Sequence, residues 1–118
     1  MRPHHRLEVW KRALRFVKEI YEVTSGFPEG EKFGLVSQMR RAAVSVPSNI
    51  AEGAARNGKK EFINFLHIAQ GSLAELETQL LISCDLGFID VGKEEKLQNE
   101  LDEISKMIFG LQQTLRRP

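Results

Sequence analysis

Apolar residues recur at alternating steps of three and four positions in four long segments of this 118-residue chain. This period is that of an α-helix with one buried face. In the first segment the pattern forms two adjacent tracks: Leu7, Trp10, Leu14, Val17 and Tyr21, and Val9, Ala13, Phe16, Ile20 and Val23. The single tracks of the other three segments are Val36, Met39, Ala43, Val46 and Ile50; Phe62, Leu66, Ala69, Leu73, Leu76 and Leu80; and Leu97, Leu101, Ile104, Ile108, Leu111 and Leu115. The chain is therefore predicted to contain four amphipathic helices.

Short connections between these segments specify how the helices pack. Arg56-Asn57-Gly58 is a turn sequence, Gly87 is a helix C-cap, and Asp90 is a candidate N-cap for the fourth helix. Long helices joined by short turns must fold back on one another. The prediction is an all-α, antiparallel, up-down four-helix bundle that forms one domain over residues 1–118, with residues 1–6 as a flexible basic arm.

Two prolines affect the second helix. The Thr24-Ser25-Gly26 segment ends the first helix, and the second is predicted to begin with Pro28 near its first position. Pro47 lies inside the pattern, where proline removes one backbone donor and crowds the preceding turn. Because the apolar track stays in phase through Ile50, we expect one helix kinked near Pro47.

Composition favours a globular protein of the cytoplasm. The chain is 42% hydrophobic and 28% charged, with Cys84 as its one cysteine, so an internal disulfide is ruled out. The N-terminal segment has positive charge but no apolar stretch after it, which argues against a signal peptide. No apolar run approaches the length of a membrane helix. We therefore expect a cytoplasmic location and no membrane association.

Catalytic and metal-binding patterns are weak. Residues 53–60 have the glycine and lysine spacing of a phosphate-binding loop, but Lys60 stands where that motif needs serine or threonine, and a helix precedes it. Di-iron bundles need glutamate three residues before histidine, and none of His4, His5 and His67 meets this requirement. The sequence therefore predicts no enzyme activity, no cofactor and no metal site.

Basic residues are distributed unevenly, although the formal net charge is only +1. Residues 1–18 contain six lysines and arginines against Glu8 alone. Such a local excess is typical of phosphate-backbone binding. The pattern offers no aromatic platform for base stacking, so we expect recognition by backbone charge and shape. The candidate RNA- or DNA-binding residues are Lys11, Arg12, Arg15, Lys18, Arg40 and Arg41.

A second track of small and polar residues follows the apolar seam of the second helix, and the third helix has a comparable set. Alanines beside this track make the second helix thin. One interpretation is solvated surface; the other is a subunit interface or an inter-helix hydrogen-bond network. The candidate residues are Gln38, Ser45, Asn49, Glu52, Glu75 and Thr78.

The run LVSQMRRAAVSVPSNIAEG at residues 35–53 resembles the signature of a known four-helix bundle family. That family includes proteins encoded in intervening sequences of bacterial large-subunit ribosomal RNA genes, and the accessory variability determinant of diversity-generating retroelements. Residues 7–13 resemble the opening of the family, and residues 62–79 resemble its third helix. Arg40 and Arg41 match its paired arginine, while Asn49 and Glu52 match its Asn-x-x-Glu.

The resemblance implies a ring-shaped homopentamer with a basic surface able to meet nucleic acid. For the retroelement branch it also implies binding to a reverse transcriptase and its template RNA. Two hypotheses follow: an oligomeric, non-catalytic nucleic-acid-binding accessory protein, or a protein–protein scaffold whose arginines serve subunit assembly. In the scaffold hypothesis those arginines pair with acids such as Glu75 or Glu77 of a neighbouring subunit.

Overall fold

The computed structural model describes residues 2–118 and folds them into four α-helices. These are α1 (Glu8–Thr24), α2 (Leu35–Ala55), α3 (Lys59–Asp85) and α4 (Val91–Arg116). Each helix packs against the next in the chain, and α4 packs back against α1. The bundle measures 48 × 22 × 21 Å, so the helices lie along its long axis. The predicted all-α four-helix bundle is confirmed.

The core lies along the bundle axis and contains most residues of the predicted apolar tracks. Burying these side chains supplies the main favourable free energy of folding, at about 25 cal/mol per Å² of apolar surface. The largest fully buried side chains are Phe16, Ile20, Met39, Val46, Ile50, Leu66, Leu73, Leu76, Leu80, Leu97, Ile104 and Ile108.

The two ends of the α3–α4 connection are capped as predicted. Gly87 adopts a positive φ of 79°, its amide donates to the Cys84 carbonyl, and the Phe88 amide donates to the Ser83 carbonyl. These two hydrogen bonds form a Schellman motif, which needs the left-handed conformation that glycine adopts freely. The Asp90 carboxylate accepts a 2.7 Å hydrogen bond from the Lys93 amide, so Asp90 is the N-cap of α4.

Helix α2 runs unbroken through the buried Pro47, as its apolar phase predicted. Its predicted start was wrong. Glu29–Glu31 form a short 3-10 turn, and the α-helix begins only at Leu35. Gly30 and Gly34 explain the difference, because glycine disfavours the helical state by about 1 kcal/mol relative to alanine. We call residues 25–34, which connect α1 to α2, the linker loop.

The described part of the N-terminal segment lies against the bundle. Pro3–Arg6 form a 3-10 turn that contacts α1 and α2. The His5 ring stacks on Trp10 with 5.0 Å between ring centroids, and the His4 ring meets Trp10 edge-on at 4.8 Å. Met1 lies outside the described residues. Aromatic contacts thus hold the segment, which we call the N-terminal turn, against α1.

Candidate nucleic-acid interface

Arg12, one of the six candidate binding residues, forms an ion pair within the bundle. Its guanidinium forms a two-point contact with Glu100 of α4, with Nε–Oε1 at 3.1 Å and Nη2–Oε2 at 2.8 Å. The hydrogen bond that Arg12 donates to Glu100 raises the pKa of Arg12 above its ordinary value. Glu8, one turn before Arg12 on α1, pairs with Lys11 at 3.3 Å. Arg12 therefore joins α1 to α4.

Arg40 is likewise engaged, at the C-terminal end of α1. Its Nε donates to Thr24 Oγ1 at 3.0 Å, and its Nη2 donates to the Tyr21 carbonyl at 3.3 Å. The guanidinium lies 4.5 Å from the centroid of the Tyr21 ring. A cation at this position interacts favourably with the negative end of the α1 dipole and with the ring face. Arg40 thereby ties α2 to α1.

The other candidates remain at the surface. Lys11, Arg15, Lys18 and Arg41 are all exposed. Lys11 pairs with Glu8, but within residues 2–118 no ion pair forms at Arg15, Lys18 or Arg41. These three side chains keep their full charge available to an external anion. Four of the six predicted cations are therefore exposed, three of them on α1 and one on α2.

A cleft lies where the end of α1, the linker loop and the first turns of α2 meet. Its volume is about 470 Å³. We call it the basic cleft, and the residues that define it are Tyr21, Lys32, Phe33, Ser37, Arg40 and Arg41. Among the described residues that line it there is no carboxylate. The residues that line the cleft thus include three cations, while Glu29 lies with Lys32 and Arg40 in an adjoining cavity.

Lys32 and Phe33 line the cleft but were not among the predicted site residues. Phe33 is 90% exposed, and Tyr21 is 41% exposed. The available signal in the sequence was that Lys32 and Phe33 lie between Gly30 and Gly34 and belong to none of the apolar tracks. Because Phe33 lies outside every helical pattern, periodicity does not indicate whether it is buried or exposed.

An apolar groove runs between α1 and α2 toward the N-terminal turn. Its volume is about 340 Å³, and its main apolar lining residues are Trp10, Leu14, Val17, Val44, Pro47 and Ala51. Leu14 is 43% exposed and Val44 is 41% exposed. Leu14 and Tyr21, predicted for the core face of α1, instead border open surface.

The predicted polar track divides into one inter-helix contact and several local ones. Ser72 of α3 donates a 2.8 Å hydrogen bond to Ser45 Oγ, and Asn49 Nδ2 also donates to Ser45. This part forms an inter-helix network. Glu52 instead pairs with Arg56 on its own helix.

The remaining polar candidates form contacts only within α3 or stay at the surface. Glu75 accepts from Gln79, and Thr78 donates to the Ala74 carbonyl. Gln38 is exposed. A further inter-helix pair, between Gln70 of α3 and Ser105 of α4, was missed. Gln70 Nε2 donates to the Ser105 carbonyl at 2.9 Å, and Ser105 Oγ donates back at 2.8 Å.

The described residues contain neither a metal-binding cluster nor a membrane-spanning helix. Residues 2–118 bring together no group of three or more His, Cys, Asp and Glu side chains suited to a metal ion. None of their helices has both the length and the apolar character needed to cross a bilayer.

The fold and the cleft define a class: a small antiparallel four-helix bundle with a cationic, partly aromatic surface between its first two helices. Residues 5–110 match the family model of the 23S rRNA-intervening sequence protein, so the chain belongs to that family. The family resemblance seen in the sequence is thereby confirmed. No curated protein sequence shows significant similarity to the chain.

Among solved structures, the chain is similar to a Bacteroides thetaiotaomicron protein of unknown function from the S23 ribosomal protein family. The TM-score is 0.79 and the sequence identity is 26%, over 88% of this chain and 97% of that one. The shared architecture therefore extends over nearly the whole bundle.

Proposed function

We propose that the protein is a non-catalytic, self-associating accessory protein of the cytoplasm that binds nucleic acid through the phosphate backbone. The observation that carries the proposal is a set of exposed cations that form no ion pair within residues 2–118. Arg41 and Lys32 line the basic cleft, and Arg15 and Lys18 are exposed on α1. Arg12 and Arg40 have structural roles and are left out of the binding set.

Phosphate is the anion that this arrangement suits. A polyanionic strand presents regularly spaced charges, and cations that are solvated in the free protein release condensed counterions when they meet it. Exposed pairs with carboxylates on the protein's own surface would weaken such binding. The family description refers to 23S rRNA, which supports testing structured RNA before DNA.

The test compares two double variants that remove equal charge. Lys18→Ala with Arg41→Ala takes two cations from the proposed interface, whereas Lys96→Ala with Lys106→Ala takes two exposed cations from α4. We expect only the first to weaken RNA binding and to lower the slope of log K against log salt by about two. Salt-insensitive binding, or equal losses in both double variants, would contradict the proposal.

A second candidate function is a protein–protein scaffold, and the apolar groove is the observation that favours it. Leu14 and Val44 leave apolar surface exposed between α1 and α2, both of which carry basic residues. A second copy of the chain would cover this surface. The family resemblance implies a homopentamer, which fits self-association through such a surface.

Light scattering separates the two functions. We expect Val44→Glu to reduce the mass of the assembly to that of the protomer, because a carboxylate buried in an apolar interface is unpaired. Arg41→Ala should leave the mass unchanged if Arg41 binds RNA. Loss of the assembly in Arg41→Ala would favour the scaffold, in which that arginine serves subunit contacts.

The retroelement branch of the family supplies one further partner. If the chain belongs to that branch, we propose that the basic surface meets a reverse transcriptase together with its RNA. Neighbouring genes test this directly: a reverse transcriptase gene beside the coding sequence supports the partner, and a ribosomal RNA gene there opposes it.

A further inference from the structure

Phe33 is the most exposed large apolar side chain of the described residues, at 90%. It lies in the linker loop, directly after Lys32, and both residues line the basic cleft. Scattered exposed apolar residues need no explanation, but an aromatic ring at the rim of a charged concave surface is typical of a binding site. The position of Phe33 is therefore suited to a partner with a flat apolar face.

The charges around Phe33 indicate which other chemical group such a partner would carry. Lys32 Nζ lies 5.7 Å from the centroid of the Phe33 ring. Arg41 is exposed on the wall of the cleft contributed by α2, and Arg40 covers the Tyr21 ring at 4.5 Å. A ligand that combines a flat ring with a nearby anion would meet an aromatic face and cations together.

We infer that the basic cleft holds an unpaired nucleotide of a single-stranded nucleic acid, with its base stacked on Phe33 and its phosphates near Lys32 and Arg41. This inference rests on the proposed nucleic-acid function and adds the form of the strand. Stacking on an aromatic ring tolerates every base, because each base has a π-face. A cleft of about 470 Å³ is within the usual range for small-ligand sites.

Paired bases fit this geometry less well. In a duplex the base faces are already covered by their neighbours, so the Phe33 ring has no free surface on which to stack. The cations around the cleft would still attract the duplex backbone. Single strands should consequently gain an advantage at Phe33 that duplexes do not.

The experiment uses the intact protein and an RNA strand of about ten nucleotides, which is in the range of single-strand sites. The strand carries 2-aminopurine as a stacking reporter, and an abasic strand of equal length reports backbone binding alone. Phe33→Leu keeps an apolar side chain but removes the π-face. Phe109→Leu is the matched control, since Phe109 is 56% exposed on α4.

We expect Phe33→Leu to weaken binding of the base-carrying strand about tenfold and to abolish 2-aminopurine quenching. Binding of the abasic strand should stay the same, and Phe109→Leu should behave as the parent protein. Unchanged binding of the base-carrying strand by Phe33→Leu, or equal losses for both strands, overturns the inference and leaves the proposed function intact.

Two other outcomes are also decisive. If neither strand nor structured RNA binds the parent protein in a salt-sensitive manner, the proposed function fails and this inference fails with it. If Phe33→Leu instead changes the mass of the assembly measured by light scattering, Phe33 is a contact between protein chains, and the stacking role is overturned.

Discussion

The two sides of helix α2 differ sharply in how closely they meet their neighbours. On the side toward α3, a Cβ added at Gly53 would lie 2.8 Å from Phe62 Cδ1 and 2.9 Å from Phe65 Cβ, so the helices are in direct contact. On the side toward α1, the basic cleft and the apolar groove leave cavities of about 470 and 340 Å³. One helix thus provides both a closed seam and an open surface.

The difference shows how a small bundle separates stability from binding. Small residues and a Ser45–Ser72 hydrogen bond close the α2–α3 seam, where interior-like packing leaves no room for a ligand. The α1–α2 side is held by a few specific contacts, above all those of Arg40 with the end of α1. Substitutions on the two sides should accordingly have different effects.

The largest effect is expected at the closed seam. Gly53→Ala should destabilise the protein by about 2 kcal/mol, because overpacking at Phe62 and Phe65 outweighs the gain in helix propensity. Gly71→Ala is the matched control in α3, since an added Cβ there meets no atom within 4 Å. That variant should gain up to about 1 kcal/mol. Urea denaturation measures the free energy of unfolding of both variants. A gain in stability for Gly53→Ala, like that expected for Gly71→Ala, would show that the seam is not tight.

An intermediate effect is expected on the open side. Thr24→Val keeps the shape of a buried side chain but removes the hydroxyl that accepts from Arg40 Nε. We expect a loss of about 1 kcal/mol in the free energy of unfolding, the usual value of such a hydrogen bond. Ser25→Ala, which removes a longer 3.4 Å contact of Arg40 at an exposed position, serves as the control. A loss in Ser25→Ala as large as that in Thr24→Val would contradict the anchoring role of Thr24.

The smallest effect is expected at the N-terminal turn, where His4 forms part of the lining of the apolar groove. Burial lowers the pKa of His4, and the nearby charges of His5 and Arg2 lower it further. The folded turn therefore favours the neutral ring. Its stabilising contribution is complete above the usual histidine pKa of about 6.5 and is lost as the pH falls through the lower pKa of the folded state.

Trp10 provides the readout for this change, since it is the one tryptophan of the chain and lies against both histidine rings. We expect its fluorescence to change on acidification with a midpoint below 6.5, while the helical circular dichroism stays constant. In His4→Gln the low-pH transition should be absent. An identical titration in that variant would assign the change to His5 or to another group.

The sequence predicted the four helices and most of the core because periodicity reports which face of each helix is buried. It also located Asp90 and Gly87, whose capping chemistry is local. Periodicity does not report how deeply a face is buried, and for that reason Leu14 and Tyr21 were assigned to the core although they border open surface. The start of α2 was misplaced because the glycines of the linker loop outweighed the local helix-start signals.

The candidate site was less predictable, since its chemistry depends on contacts between distant parts of the chain. Arg12 could not be separated from Arg15 without knowing that Glu100 lies opposite it in the bundle. The same holds for Arg40 and Thr24. Phe33 belongs to a loop that has no periodic pattern, so only its surroundings in the folded chain show that it borders a cluster of cations.

The short turn between α2 and α3 has a consequence for the order in which the bundle forms. Only residues 56–58 separate the two helices, so bringing Gly53 against Phe62 closes a very small loop and costs little chain entropy. Contacts that are local in sequence form fastest. The α2–α3 hairpin should therefore be the folding nucleus, onto which α1 and α4 dock later.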